Sequence, residues 1–139
     1  MSERLALDTG PLVAWLDADD QWHDEATRMT RGLRPPFLVC EPVLTEACFL
    51  LRGQANAIRQ IGIWLDIGYL EIAFRLHDHA ERAFALMEKY RDLPMSLADA
   101  CLVCMIEEDL ADRVFTLDAH FRTYRHSGRR VVPALMPEG

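Results

Sequence analysis

A chain of 139 residues, 50% hydrophobic, is long enough to bury about two-thirds of its unfolded surface, so one domain spanning 1–139 is expected. Its net charge of −7 argues against gripping nucleic acid by bulk electrostatics, because counterion release needs a basic face. No run of about eighteen uncharged apolar residues exists, and Met1-Ser2-Glu3-Arg4 lacks the basic start and apolar stretch of a signal peptide, so a cytoplasmic protein with no membrane partner is expected.

In chain order, Arg4 to Asp8 reads as a short strand, with Leu5 and Leu7 apolar and Asp8 at its carboxyl end. Thr9-Gly10-Pro11 then places an N-cap hydroxyl and a proline at the start of a helix. A second helix is predicted over Gln21 to Leu33, and Pro35-Pro36 stops it before the strand Phe37-Leu38-Val39-Cys40. Pro42 opens a third through Leu51, with Val43, Ala47 and Leu50 on one stripe and Gly53 beyond its end. Ile58, Ile61 and Leu65 mark a fourth, closed near Gly68.

Tyr69 to Phe74 alternates as a strand does, and Ala80, Ala83, Phe84 and Met87 define an amphipathic helix that runs to Tyr90 or Arg91. Leu97 to Leu110 follows as a helix apolar on most sides over Ala100 to Ile106. Arg113 to Leu117 is a strand with Asp118 just beyond it, and Val131-Val132 is the candidate for a last strand. Short apolar strands alternating with helices imply a three-layer α/β/α sandwich around a mainly parallel sheet.

The ligand crevice of an open parallel sheet lies beyond the carboxyl ends of its strands, where Asp8 and Asp118 both fall. Two further acids stand in apolar surroundings. Glu46 interrupts Val43-Leu44-Thr45-Glu46-Ala47-Cys48-Phe49-Leu50, and Asp99 precedes Ala100-Cys101-Leu102-Val103-Cys104-Met105. An unpaired buried carboxylate costs several kcal/mol or gives up its charge, and two of them about 5 Å apart repel by roughly 3 kcal/mol at an effective dielectric near 20. A divalent cation removes both costs, and hard oxygen donors without histidine or cysteine suit Mg²⁺ or Mn²⁺ rather than zinc. The metal-free protein should then be the less stable form. Simpler roles compete at three positions: Ser96-Leu97-Ala98-Asp99 fits a capping box, Asp118 can cap a helix starting at Ala119-His120-Phe121, and Asp8 can belong to the turn at Gly10. Glu46 has no such alternative.

Together these segments resemble a PIN domain, the metal-dependent nuclease fold of VapC-type toxins. The resemblance runs from Leu5-Ala6-Leu7-Asp8-Thr9 through Val43-Leu44-Thr45-Glu46-Ala47 and Ser96-Leu97-Ala98-Asp99-Ala100 to Phe115-Thr116-Leu117-Asp118-Ala119-His120-Phe121. It implies that Asp8, Glu46, Asp99 and Asp118 form a catalytic quartet that hydrolyses RNA phosphodiester bonds, as a metal-dependent endoribonuclease. Asp8, Asp99 and Asp118 would be the ligands of Mg²⁺ or Mn²⁺, and Glu46 would bind through water or steer the nucleophile. Thr9 and Thr116 match positions where a hydroxyl stands behind the carboxylates, with turn or cap roles as the alternative. A homodimer and an inhibitory cognate antitoxin protein, as in a type II toxin–antitoxin pair, are implied as well. The acidic overall balance departs from what an RNA-binding chain needs. Arginines bunched at Arg28, Arg31 and Arg34 and at Arg122, Arg125, Arg129 and Arg130 would therefore have to supply the groove, unless they only decorate solvated faces.

Other readings compete less well. Asp8-Thr9-Gly10 spells the aspartic protease triplet, but that enzyme needs two such triplets within an all-β framework, and helices dominate here. A Mg²⁺-dependent phosphatase would want a second aspartate where Gly10 stands, and a receiver domain an acidic pair after the first strand. A catalytically silent PIN-like binding module is the rival from another class. The cysteines Cys40, Cys48, Cys101 and Cys104, including the Cys101-Leu102-Val103-Cys104 pair, read as reduced core residues. His120 is the one histidine near enough in sequence to touch the site, while Trp15, Trp22 and Trp64 read as core or dimer contacts.

Overall fold

The computed structural model describes residues 3–137; Met1 and Ser2 of the N-terminal stretch lie outside the described residues. Strands β1 (Leu5–Leu7), β2 (Phe37–Val39), β3 (Leu70–Ile72) and β4 (Arg113–Phe115) run parallel in one sheet. A final short strand, which we number β7 (Ala134–Leu135), extends it in the order β3-β2-β1-β4-β7. Successive side chains of a strand point to opposite faces, yet all three residues of β1 and of β2 are buried. The sheet is therefore covered on both sides, as a parallel α/β sandwich must be. The register pairs Leu5 with Arg113 and Leu7 with Phe115, so β1 and β4 end level with each other.

The covering helices are α1 (Thr9–Leu16), α2 (His23–Arg31), α3 (Glu41–Leu50), α4 (Ala55–Asp66), α5 (Leu76–Lys89) and α6 (Leu97–Glu107). Helix α6 is buried without interruption from Ala98 to Ile106, which its nearly all-round apolar sequence requires. It stops short of the predicted Leu110, because Asp109 turns the chain into the left-handed region at φ 55°. Gly68, at φ 77°, closes α4 in the same way. Trp15, Phe37, Trp64 and Tyr69 pack into one aromatic cluster, with Trp15 and Trp64 ring centroids 4.5 Å apart. Trp15 and Trp64 are thus core contacts, and Trp22 packs partly buried against the same core. Cys40, Cys101 and Cys104 are buried free thiols and Cys48 is half-buried; a hydrogen bond with the Cys101 thiol, then burial, raises the pKa of Cys40.

Three expectations need correction. Val131-Val132 does not supply the last strand of the sheet. Ser127 and Gly128, both at positive φ, fold β6 (Arg130–Val131) back antiparallel onto β5 (Arg125–His126) as a separate hairpin, and the sheet gains Ala134–Leu135 instead. Leu50 does not share the inward stripe of Val43 and Ala47: it is 57% exposed, and Leu51, four residues after Ala47, takes the core position. Glu46 is not in a buried apolar environment. It stands on the exposed side of α3 with Thr45, Phe49 and Leu50, whose apolar members point outward.

Candidate active site

A cleft of about 460 Å³ opens at the carboxyl ends of β1 and β4, and Asp8, Glu46, Asp99 and Asp118 all line it. The four acids come from four separate segments. Asp8 directly follows β1 and is the N-cap of α1, Glu46 projects from α3, Asp99 sits in the first turn of α6, and Asp118 caps the 3₁₀ turn Ala119–Arg122. No arginine, lysine or histidine is among the lining side chains.

Each carboxylate accepts at least one hydrogen bond from the protein. Asp8 Oδ1 accepts from the Thr9 amide at 2.8 Å and Oδ2 from the Thr116 hydroxyl at 2.7 Å. Thr116 is fully buried, and its oxygen also accepts from the Asp118 amide at 2.9 Å, so one hydroxyl ties two acids together. Thr9 opens α1 rather than capping it, since Asp8 provides the cap. The Thr9 hydroxyl is thereby free to donate to Glu46 Oε2 at 2.9 Å. Asp118 Oδ1 accepts from the His120 amide at 2.9 Å, with the half-exposed His120 ring nitrogen 3.3 Å away.

Asp99 forms the capping box that the Ser96-Leu97-Ala98-Asp99 pattern anticipates. Its Oδ2 closes the capping box with the Ser96 amide at 3.2 Å, while the Ser96 hydroxyl accepts from the Asp99 amide at 3.0 Å. That same Oδ2 accepts from the Tyr124 hydroxyl at 3.0 Å, a partner that sequence reasoning missed. A lone tyrosine six residues past Asp118 carries no local signal of this contact, which depends on how the 3₁₀ turn folds. Among the described residues, Asp99 Oδ1, Asp118 Oδ2 and Glu46 Oε1 accept no protein hydrogen bond.

Gly10 stands where two of the segments come close. A Cβ there would stand 3.3 Å from Leu117 Cδ1, so a bare backbone lets the start of α1 press against the residue preceding Asp118. The electrostatic result is strained. Burial above all, then the neighbouring charges of Asp99 and Asp118, pushes Asp8 up from 3.8 to about 7 despite the bonds from Thr116 and Thr9 that oppose the shift. Asp99 is also raised, by burial first and by Asp118, against the bonds from Ser96 and Tyr124.

Among the described residues, no three histidine, cysteine, aspartate or glutamate side chains already stand in a metal-holding cluster. As a donor set the cleft acids fit a hard divalent cation: all oxygen, paired among the described residues with no arginine or lysine, and led by a buried acid whose ionisation the surroundings resist.

The arginine clusters do not gather at this cleft as a group. Arg125 caps the carbonyls of Arg122, Thr123 and Tyr124, and the tip of the β5–β6 hairpin is tied through the Ser127 amide to Glu107, at the opposite end of α6 from Asp99. Arg28 pairs with Glu25.

A family model described as PIN domain matches residues 5–126. The crystal structure of VapC20 from Mycobacterium tuberculosis, described as a sarcin–ricin loop cleaving toxin, superposes with a TM-score of 0.71 at 20% sequence identity. The alignment covers 92% of this chain and 98% of that one. No curated protein sequence matches the chain.

Proposed function

We propose, from the premise that this chain belongs to the PIN domain family, that it is a Mg²⁺- or Mn²⁺-dependent endoribonuclease, with residues 1–139 acting as one such domain. The observation that carries the reading is the convergence of Asp8, Glu46, Asp99 and Asp118 on one cleft without a cationic side chain. Asp8, Asp99 and Asp118 would hold the ion. When bound, a divalent cation supplies Lewis acidity toward a phosphodiester and the water that attacks it.

The chain's own groups account for the rest. Thr116 and the Thr9 amide fix both oxygens of Asp8, so its orientation is set before substrate arrives. Glu46, exposed and anchored by Thr9 through one oxygen, would accept a proton from the attacking water with the other. The water oxygen forms the new bond to phosphorus as the bond to the leaving ribose oxygen breaks, and that oxygen takes up a proton. With no arginine or lysine lining the cleft among the described residues, the negative phosphodiester would depend on the ion for its place there.

The likeness to VapC20 favours a toxin role, paired with an antitoxin protein in the cytoplasm, where RNA is the substrate. Exposed Phe49 and Leu50 on α3 and Phe84 on α5 offer apolar surface for a homodimer. Among the described residues, no helix is long and apolar enough to cross a membrane.

The test is cleavage of structured RNAs, a sarcin–ricin stem-loop among them, with Mg²⁺, Mn²⁺ or EDTA. Asp8→Asn and Asp99→Asn are expected to reduce cleavage to the EDTA level while keeping the folded circular dichroism spectrum. Cleavage that survives EDTA, or an Asp8→Asn variant as fast as the parent, defeats the reading. Mn²⁺ binding with no RNA cleavage instead favours the silent binding module, and release of phosphate from a monoester favours the phosphatase.

A further inference from the structure

We propose that Tyr124 is a positioning residue for the metal site, holding Asp99 so that Oδ1 faces the cleft; this deepens the nuclease reading and rests on it. The Tyr124 side chain is fully buried, and its hydroxyl donates to Asp99 Oδ2 at 3.0 Å. Together with the Ser96 amide it occupies that oxygen twice, which fixes the carboxylate plane and leaves Oδ1 as the oxygen available to a cation.

The ring is clamped so that the hydroxyl has little freedom. Phe121 meets it edge-on with centroids 5.1 Å apart, and Tyr90 lies 5.1 Å away on a tilted plane. The backbone holds it as well: the Tyr124 amide donates to the His120 carbonyl at 3.1 Å, and Phe121 to the Asp118 carbonyl at 3.1 Å. Tyr124 therefore stands at the end of the short turn that Asp118 begins. One continuous path results, running from Asp8 through the Thr116 hydroxyl to the Asp118 amide, along the turn to Tyr124, and through its hydroxyl to Asp99. The three acids assigned to the ion are thus held in one hydrogen-bonded frame, although they lie on different segments of the chain.

Tyr124→Phe removes the hydroxyl and keeps the ring packing. Tyr90→Phe is the matched control, because it deletes a neighbouring hydroxyl that accepts from the Arg125 amide at 2.9 Å and touches no carboxylate. Mn²⁺ binding without RNA, followed by the electron paramagnetic resonance signal of the free ion, should weaken about tenfold in Tyr124→Phe, the lower end of what loss of an outer partner costs. In Tyr90→Phe it should stay at the parental value. The melting temperature in EDTA, measured on all three proteins, separates positioning from general destabilisation. Equal Mn²⁺ affinity in Tyr124→Phe and the parent overturns the proposal and leaves the nuclease reading intact. So does a loss of affinity that Tyr90→Phe shares in proportion to its melting temperature. A parent chain that binds no Mn²⁺ overturns the metal site itself, and the role of Tyr124 with it.

Discussion

At the amino ends of β1 and β4, Arg4 donates to both Asp109 and Asp112 at 2.9 Å, and Arg113 forks onto Glu3 at 2.6 and 2.7 Å. At the carboxyl ends of the same two strands, Asp8 and Asp118 share a cleft with Asp99 and Glu46, and no arginine enters it. The proton affinities follow. Hydrogen bonds from Arg4 hold Asp112 below its ordinary value, whereas burial and like charge lift Asp8 to about 7. Acids that serve only to knit strands together are neutralised where they stand. The carboxyl-end acids are held by hydrogen-bond donors with no arginine lining their cleft, and the burial and like charge that lift Asp8 are the condition a cation relieves.

That contrast can be broken or sharpened by experiment. The largest stability effect should come from Asp8. Its folded-state pKa of about 7 lies above the 3.8 of the free group, so the protonated form favours folding. This contribution is complete below about pH 4 and is lost as pH rises through 7, a difference of about 4 kcal/mol. In EDTA, chemical denaturation should show the parent losing stability from pH 4 to pH 8, with Asp8→Asn the more stable protein at pH 8. Mn²⁺ should restore the parent and not the variant. A flat pH profile would mean that Asp8 is not strained.

Thr116→Val should rank next. It removes the hydroxyl that serves Asp8 Oδ2 and the Asp118 amide in a fully buried place, and a loss of roughly 1–3 kcal/mol is expected in urea titration. Thr116→Ser should recover most of it, and a Val variant as stable as the parent would show that the bridge carries no energy. The smallest effect belongs to the other end of the sheet. Asp112→Asn loosens an exposed pair and should lower the melting temperature only slightly, less still at high salt, with Mn²⁺ affinity unchanged. A change in Mn²⁺ affinity would show that the two ends are coupled after all.

Much of this was legible along the chain because its causes are local. Apolar runs at Leu5–Leu7 and Phe37–Val39, the proline after Gly10 and the capping pattern at Ser96 locate strands and helix starts through short-range sterics and hydrogen bonding. The carboxyl-end rule for parallel sheets then predicts where Asp8 and Asp118 must fall. Glu46 was found for the wrong reason. Its apolar neighbours were read as a sign of burial, yet Phe49 is 61% exposed, and the carboxylate belongs to the cleft through Thr9 and not through desolvation. The capping roles weighed against the catalytic ones at Asp99 and Asp118 leave one oxygen of each without a protein donor among the described residues, since a carboxylate has two oxygens and a cap uses one.

What the chain determined by itself is therefore the six helices, the first four strands with their parallel arrangement, and the four candidate acids. Only the tertiary structure decided which carboxylate oxygens are spent on the protein, that Tyr124 reaches Asp99, and that Val131 turns away from the sheet to leave the edge to Ala134–Leu135. The physical reason is range. Backbone preference and hydrophobic period act over a few neighbouring residues, whereas a hydrogen bond across 25 or 108 positions exists only once packing has set two side chains within 3 Å of each other.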